Sequence, residues 1–350
     1  MRNFRLDSGN LINHSYVLGI IRDNFNYEIY DIWGSINFQT ILKLKLIKKK
    51  FILILDDEVF ETETYLIKDQ QEKILNKLVE ILIQKDCICI VKTEFLYNYF
   101  KNQSINVIFE PNFDNFEVLI PLRNIKTDNT FNDSYSYCCL NRSFNQPRQY
   151  LIDKLEQFDL TQYGYVTTHY GFNTEYNQDS FILKNFNLKT QKPDRVYSIY
   201  NNLDVTLTTK NFIHILNNIP GIINISVESS NPKNHLNSIR SISEKSIQPY
   251  FCLKLPIVIG HKNTIRDHKN EGLDVFDDII DHSYDEVDYY DYQNKVDQAI
   301  SKNVNILKDI TLDDNLKKRL IQNQNYLVYG WLDKKLNDFM SKIQSADFKS

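Results

Sequence analysis

Short apolar runs alternate with amphipathic segments along most of the chain. The run at 50–55 predicts a buried strand, apolar positions three and four apart predict a helix at 70–84, and Cys87–Val91 predicts the next strand. A helix at 94–101 and a strand at 105–109 follow. Strands that alternate with helices are typical of a mainly parallel sheet with crossover helices, so the expected fold class is α/β.

The second half of the chain repeats this pattern. Apolar runs predict strands, and amphipathic segments predict helices, at 135–140, 147–158, 222–227, 256–259 and 263–271. Gly272 follows the last of these and is a typical helix stop. The segment 243–253 predicts a helix that either starts near Gln248 or kinks there, because Pro249 fits only a first helical turn.

The chain divides into three predicted parts. The composition turns polar at 112–133, which places a domain boundary near residue 130. We expect one domain at 1–130, a second at 131–300 and C-terminal helices at 301–350. In the last part, leucines recur every four residues with Thr311 as the expected helix cap; they are Leu312, Leu316 and Leu320.

Charge and composition exclude several classes of protein. The 41 basic and 45 acidic residues give a net charge of -4, without the basic excess that non-specific phosphate binding needs, so no nucleic-acid partner is expected. A hydrophobic content of 42% is too high for a disordered chain. No apolar leader and no run approaching about 20 apolar residues occurs, so we expect a cytoplasmic protein without a membrane span.

The five cysteines are Cys87 and Cys89, the adjacent Cys138 and Cys139, and Cys252. They form no CxxC pair, which favours reduced thiols in a cytosol-like compartment. Cys87 and Cys89 are two residues apart in an apolar run, so one face of a buried strand is favoured over metal ligation.

Residues that follow strands are the candidates for a site, because open parallel sheets bind ligands beyond the carboxyl ends of their strands. The run at 135–140 is followed by Asn141 and Arg142, and Pro147 and Arg148 open the next predicted helix. Two arginines and a helix N-terminus can converge on an anion such as a diphosphate. The alternatives are a surface salt bridge for Arg142 and a solvated position for Arg148.

A second candidate place is Ser243-Glu244-Lys245, which precedes another predicted strand. Adjacent side chains point in different directions, so this pair suits a ligand whose hydroxyls bind the carboxylate and whose phosphates bind the ammonium. The alternative for Glu244 is a capping box with Ser241. Glu228 directly follows a predicted strand, and its alternative is an ordinary loop carboxylate.

Acidic residues are concentrated beyond the last predicted helix stop, at Asp277, Asp278, Asp281, Asp285, Glu286, Asp288 and Asp291. They lack the glycine of a calcium loop, and His282 is the one histidine among them. We therefore expect a solvated acidic loop and no metal site.

At these positions the sequence resembles a known family. The shared elements are Asn141-Arg142 with Arg148, Glu228, Ser243-Glu244-Lys245, Leu255-Pro256-Ile257-Val258-Ile259-Gly260, Gly272-Leu273-Asp274-Val275-Phe276 and Ser283-Tyr284-Asp285. Their order and spacing are similar to the donor-binding half of GT-B glycosyltransferases of the α1,3-fucosyltransferase type, and to uncharacterised glycosyltransferase-like proteins of phages and bacteria. The similarity covers residues 135–290. Asn145 stands where the family has a basic residue, and Ser243 where threonine is usual.

The resemblance implies two Rossmann-like domains facing a cleft, the first for the acceptor and the second for the donor, with C-terminal helices packing across. It implies a metal-independent, inverting transfer of a sugar from a nucleoside diphosphate, a GDP-sugar being one candidate, to a hydroxyl of a glycan or other acceptor. The implied donor-site residues are Asn141, Arg142, Arg148, Glu228, Ser243, Glu244 and Lys245. Arg142, Arg148 and Lys245 would stabilise the departing diphosphate.

An inverting reaction also needs a carboxylate that takes the acceptor proton. Asp56, Asp57 and Glu58, after the strand at 50–55, are the best-placed candidates; an ordinary acidic loop is the alternative. The neutral Asn145 favours a second hypothesis, an inactive protein of the same fold with a structural or interaction role. A third is a carbohydrate-binding module that stacks some of the 22 tyrosines and 21 phenylalanines on sugar rings.

Overall fold

The computed structural model describes residues 3–5, 16–25, 27–32, 38–48, 50–55, 68–92, 94–123, 131–141, 146–167, 220–227 and 244–347. These residues form two compact units. The first unit holds the described residues up to Glu117 and those from Asp333 onward, and the second holds those from Val118 to Leu332. Each unit contains a parallel sheet with helices, which confirms the predicted α/β class.

The first sheet has five strands: β1 (Asn3–Arg5), β2 (Glu28–Ile32), β3 (Phe51–Leu55), β4 (Cys87–Val91) and β5 (Val107–Phe109). The connecting helices are α1 (Tyr16–Asn24), α2 (Phe38–Leu46), α3 (Lys68–Leu82) and α4 (Glu94–Asn102), and α5 (Phe113–Arg123) follows β5. The strands pair in chain order, all parallel, with Phe51 opposite Cys87 in the register of β3 and β4.

Both faces of the first sheet are buried. Phe51, Leu53 and Leu55 of β3 pack with apolar residues of α2, α3 and α4 on one face, because right-handed crossovers that proceed in one direction leave their helices on the same side. Ile52 and Ile54 on the other face are also buried. Burial on both sides explains why this strand is a continuous apolar run in the sequence.

The second unit contains β6 (Tyr137–Leu140), α6 (Gln146–Gln157), β7 (Gly164–Thr167), β8 (Ile223–Val227), α7 (Glu244–Phe251), β9 (Leu255–Ile259), α8 (Thr264–Asn270), α9 (Tyr292–Lys308) and α10 (Asp314–Asn325). The chain ends in α11 (Leu332–Asp347). The strand order of the second sheet is β7-β6-β8-β9, all parallel, so the order reverses between β6 and β8.

This reversal puts helices on both faces of the second sheet. α6 and α9 pack with alternate residues of β6, β8 and β9 in one core. On the opposite face Val258 of β9 packs with Ile265 of α8, and α7 contacts β8 and β9. Gly272, with φ of +91°, ends the turn after α8, and a Cβ there would lie 2.7 Å from the hydroxyl of Tyr326.

The last helix belongs to the first unit. The ring of Phe339 on α11 lies 6.1 Å from the ring of Phe113 and 5.8 Å from that of Phe116, both on α5. Further along α11, the carbonyl of Ala346 accepts a hydrogen bond from Asn106 Nδ2 at 3.1 Å.

The stretch at 112–133, whose polar composition predicts the domain boundary, contains the helix α5, which ring packing from the far end of the chain stabilises. The expectation for the cap of α10 is wrong. Asp313 and not Thr311 caps α10, because its carboxylate accepts from the backbone N–H of Leu316 at 2.7 Å. α7 begins at Glu244 and contains Pro249, so of the two alternatives for this helix the start near Gln248 does not hold.

Candidate functional site

Two helices begin at the carboxyl edge of the second sheet. α6 follows β6 and α7 follows β8, and each leads back to a parallel strand, so both helices start where the strands end. Since β6 and β8 are neighbours at the reversal of strand order, this is the place where open α/β sheets bind ligands. We call it the switch-point edge, formed by Asn141, Arg148, Val227 and Lys245.

Arg148 connects α6 to the end of β8 at the switch-point edge. It lies in the first turn of α6, is only 6% exposed, and donates from Nη2 to the carbonyl of Val227, the last residue of β8, at 3.3 Å. A cation in a first helical turn opposes the helix dipole, and the carbonyl of Val227 offsets part of that cost. The guanidinium charge is thereby held at the point of reversal.

Asn141 directly follows β6 and is buried. Its Nδ2 lies 3.2 Å from Sγ of Cys139. Burial raises the pKa of the Cys139 thiol to about 12, and the hydrogen bond from Asn141 lowers it only in part. The neutral thiol of Cys139 is therefore favoured, which argues against a nucleophilic role. All five cysteines are buried and free, and Cys87 and Cys89 lie on the buried strand β4 as predicted.

Lys245 is half-buried in the first turn of α7. The next residue, Ser246, is fully buried, and its Oγ lies 3.2 Å from Nε2 of His268 on α8. Nδ1 of the same ring lies 2.7 Å from the hydroxyl of Tyr250. Burial lowers the pKa of His268 to about 3, so an uncharged network fixes the turn that carries Lys245.

Several predicted site residues lie outside the described part of the chain. They are Asp56, Asp57, Glu58, Arg142, Glu228 and Ser243. Glu244 is the first residue of α7, but its side chain is also outside the described part. The roles predicted for these residues therefore stay predictions.

His261 and Lys262 are absent from the predicted site residues, although they follow β9 at the same carboxyl edge. The ring of His261 packs against that of Tyr289 with centroids 5.8 Å apart. Burial, followed by the charge of Lys295, lowers the pKa of His261, which favours a neutral imidazole. The rule that selects residues after strands would have found both.

The first sheet carries a carboxylate after β5 that the sequence patterns did not indicate. Glu110 is buried, and its Oε1 accepts from the backbone N–H and from Nδ2 of Asn112, each at 3.3 Å. Its Oε2 accepts from Nζ of Lys342 on α11 at 3.0 Å. These bonds occupy Glu110 as an anchor for α11, which argues against a free catalytic base.

The acidic stretch after α8 is not a solvated loop throughout. Two terminal nitrogens of Arg319 donate to Asp278, and the Oδ2 atom of buried Asp285 accepts from the backbone N–H of Arg266 at 3.1 Å. The prediction of a solvated loop is wrong for Asp285, which is buried, whereas Asp278 is exposed and paired with Arg319. Within the described segments, no group of three or more His, Cys, Asp or Glu side chains could hold a metal ion.

Of the helices that the structure describes, none is long and apolar enough to cross a bilayer. Comparison with known proteins gives no relative: no protein-family model, no curated protein and no solved structure matches the chain. The family resemblance therefore depends on the sequence motifs alone.

Proposed function

We propose that the protein is a metal-independent GT-B glycosyltransferase that binds the diphosphate of a nucleoside-diphosphate sugar at the switch-point edge. The observation that carries the proposal is the buried Arg148, held by the carbonyl of Val227 where the strand order of the second sheet reverses. A fixed cation at that place stabilises negative charge that develops on a leaving diphosphate.

The helix starts support the same ligand. α6 and α7 both begin at the carboxyl edge, so the positive ends of their helix dipoles favour a diphosphate bound there. Lys245 in the first turn of α7 adds a second cation. In this proposal Arg142 completes the cationic set, and Glu228 and Glu244 bind hydroxyls of the donor.

The acceptor side of the proposal rests on the first unit. An inverting transfer requires a carboxylate that removes the proton of the acceptor hydroxyl as the oxocarbenium-like sugar leaves the diphosphate. Because Glu110 is bound by Lys342 and Asn112, we assign this role to one of Asp56, Asp57 or Glu58, after β3.

Calorimetric titration of the purified protein with GDP, UDP, ADP and CDP, and then with the corresponding sugars, tests the proposal. We expect one nucleoside diphosphate to bind, and Lys245→Ala to weaken binding about tenfold or more, since a charge-assisted hydrogen bond contributes about 1.5–3 kcal/mol. Lys318→Ala is the matched control, because Lys318 is an exposed lysine on α10. Absence of binding at millimolar concentration for the whole panel would disprove the proposal.

A second candidate is an inactive protein of the same fold with a structural role. It is favoured by the commitment of Arg148 to a main-chain carbonyl and by Asn145 in place of a cation. Binding of a nucleoside diphosphate without donor hydrolysis or sugar transfer on any acceptor would favour it. Turnover that is lost in Lys245→Ala and in one of the Asp56, Asp57 or Glu58 variants would exclude it.

A further inference from the structure

Three large apolar side chains are exposed together on the first unit. Leu42 and Leu46 are 56% and 77% exposed, one turn apart on α2, and Ile83 is 58% exposed directly after α3. The ends of the two helices adjoin, because Nζ of Lys85, beyond α3, donates to the carbonyl of Lys45 on α2 at 2.9 Å.

The exposed leucines do not serve the core. On its other side α2 already buries Ile41 and Leu44, which pack with α3 and β3, and Ile47 continues this face. The outer side of α2 thus carries two large apolar side chains, Leu42 and Leu46, that the core of the first unit does not bury.

The charged side chains on α2 and on the residues directly after it are all positive. From residue 38 to residue 51 the sequence contains lysines and no aspartate or glutamate. Lys43, Lys45 and Lys48 are exposed beside the leucines. Of the acidic groups that the structure describes at the end of α3 and beyond it, Asp86 pairs with Lys50 at 3.1 Å and Glu80 with Lys77 at 2.5 Å.

From these features we infer that Leu42, Leu46, Ile83, Lys43, Lys45 and Lys48, the α2–α3 surface, bind the headgroup layer of a bilayer that contains anionic lipids. Leucine and isoleucine side chains enter the boundary of the acyl chains while the lysines contact lipid phosphates, as on helices that lie in a membrane interface. The inference does not depend on the proposed glycosyltransferase activity.

Other occupants match the α2–α3 surface less well. A nucleic acid would satisfy the lysines but would leave the three apolar side chains against a charged backbone. A second copy of the chain would cover the apolar side chains but would bring lysines against lysines. An anionic bilayer satisfies both kinds of side chain.

Co-sedimentation of the full chain with vesicles tests the inference. The vesicles are of phosphatidylcholine alone or of phosphatidylcholine mixed with phosphatidylglycerol. We expect binding to the mixed vesicles that falls as salt is added, because added ions screen the lysines. The double variant Leu42→Ser/Leu46→Ser should lose roughly tenfold or more in binding, and Lys45→Gln/Lys48→Gln should lose binding selectively to the anionic vesicles.

The double variant Tyr290→Ser/Tyr329→Ser is the matched control, because both tyrosines are exposed aromatic side chains on the second unit, and its binding should equal that of the wild type. Far-UV circular dichroism verifies that each variant is folded, which is expected because the substituted side chains are exposed. Absence of binding, equal binding to both vesicle types, or an undiminished leucine variant would overturn the inference. A concentration-dependent dimer that the leucine variant abolishes would overturn it in favour of a second copy.

Discussion

Nζ of Lys295 lies 3.9 Å from Oδ1 of Asp285, with both side chains buried. The same ammonium donates to the carbonyls of His261 at 3.3 Å and Val287 at 2.9 Å. Burial lowers the pKa of Lys295 to about 8 and raises that of Asp285, and the attraction between the two charges opposes both shifts. Through these contacts Lys295, on α9, joins the loop after β9, which carries His261, to the segment before α9, which carries Asp285 and Val287.

Replacing Lys295 with methionine should destabilise the protein. The variant keeps much of the side-chain volume but leaves the buried carboxylate of Asp285 without its opposite charge and main-chain carbonyls without their donor. We therefore expect a loss of about 3–5 kcal/mol in the free energy of unfolding. Urea denaturation measures it. Lys302→Met, at an exposed position of the same helix, is the control and should change stability by less than about 0.5 kcal/mol. Equal effects in both variants would contradict the prediction.

The buried His268 should make stability depend on pH. Its folded pKa of about 3 lies below the ordinary value of 6.5, so the unfolded chain takes up the proton first. The stabilisation is complete above pH 6.5 and decreases as the pH falls toward 3, with a slope of up to about 1.4 kcal/mol per pH unit from this group.

Denaturation of wild type and of His268→Gln across this pH range isolates that contribution. The variant starts less stable at neutral pH, because it disturbs the bonds to Tyr250 and Ser246. Its loss of stability on acidification should be smaller than that of the wild type. Parallel pH profiles for the two proteins would show that His268 is not the responsible group.

Arg319 should stabilise the second unit through geometry as well as charge. It makes two hydrogen bonds to Asp274 and two to Asp278, and its guanidinium lies 4.7 Å from the ring centroid of Phe276. The bonds to Asp278, and then those to Asp274, raise the pKa of Arg319 and keep it charged. An ammonium group cannot reproduce this planar, two-sided contact.

We therefore expect Arg319→Ala to lower the free energy of unfolding by about 1–3 kcal/mol, and Arg319→Lys to recover less than half of that loss. Chemical denaturation followed by tryptophan fluorescence suits the measurement, since Trp331 is fully buried. Lys318→Ala, the neighbouring exposed position, should be close to wild type. A lysine variant as stable as the wild type would refute the geometric argument.

The sequence predicted elements with strong local signals. The strand β4 has the predicted bounds, because its apolar run is buried on both faces and bounded by polar residues. α5 had no comparable signal, since its partner Phe339 comes from the far end of the chain. The cap of α10 was predicted at Thr311 but is Asp313, because the side-chain bond to the N–H of Leu316 depends on where the helical backbone begins.

The candidate site, too, could be predicted from the sequence only in part. Asn141 and Arg148 could be selected because they follow an apolar run and open a helix. The bond from Arg148 to Val227 could not, because it depends on β6 and β8 being neighbours, and strand order is a property of the whole sheet. Glu110 was not predicted, because its partner Lys342 lies on a helix that is far from it in the sequence.

The membership of α11 in the first unit has a consequence for synthesis of the protein on the ribosome. Residues up to Glu117 emerge early, but Phe339 and Lys342, which pack against Phe113 and bind Glu110, are translated only after the whole second unit. Domains generally fold as units during translation. Synthesis of the first unit therefore begins before that of the second unit but is completed only after it.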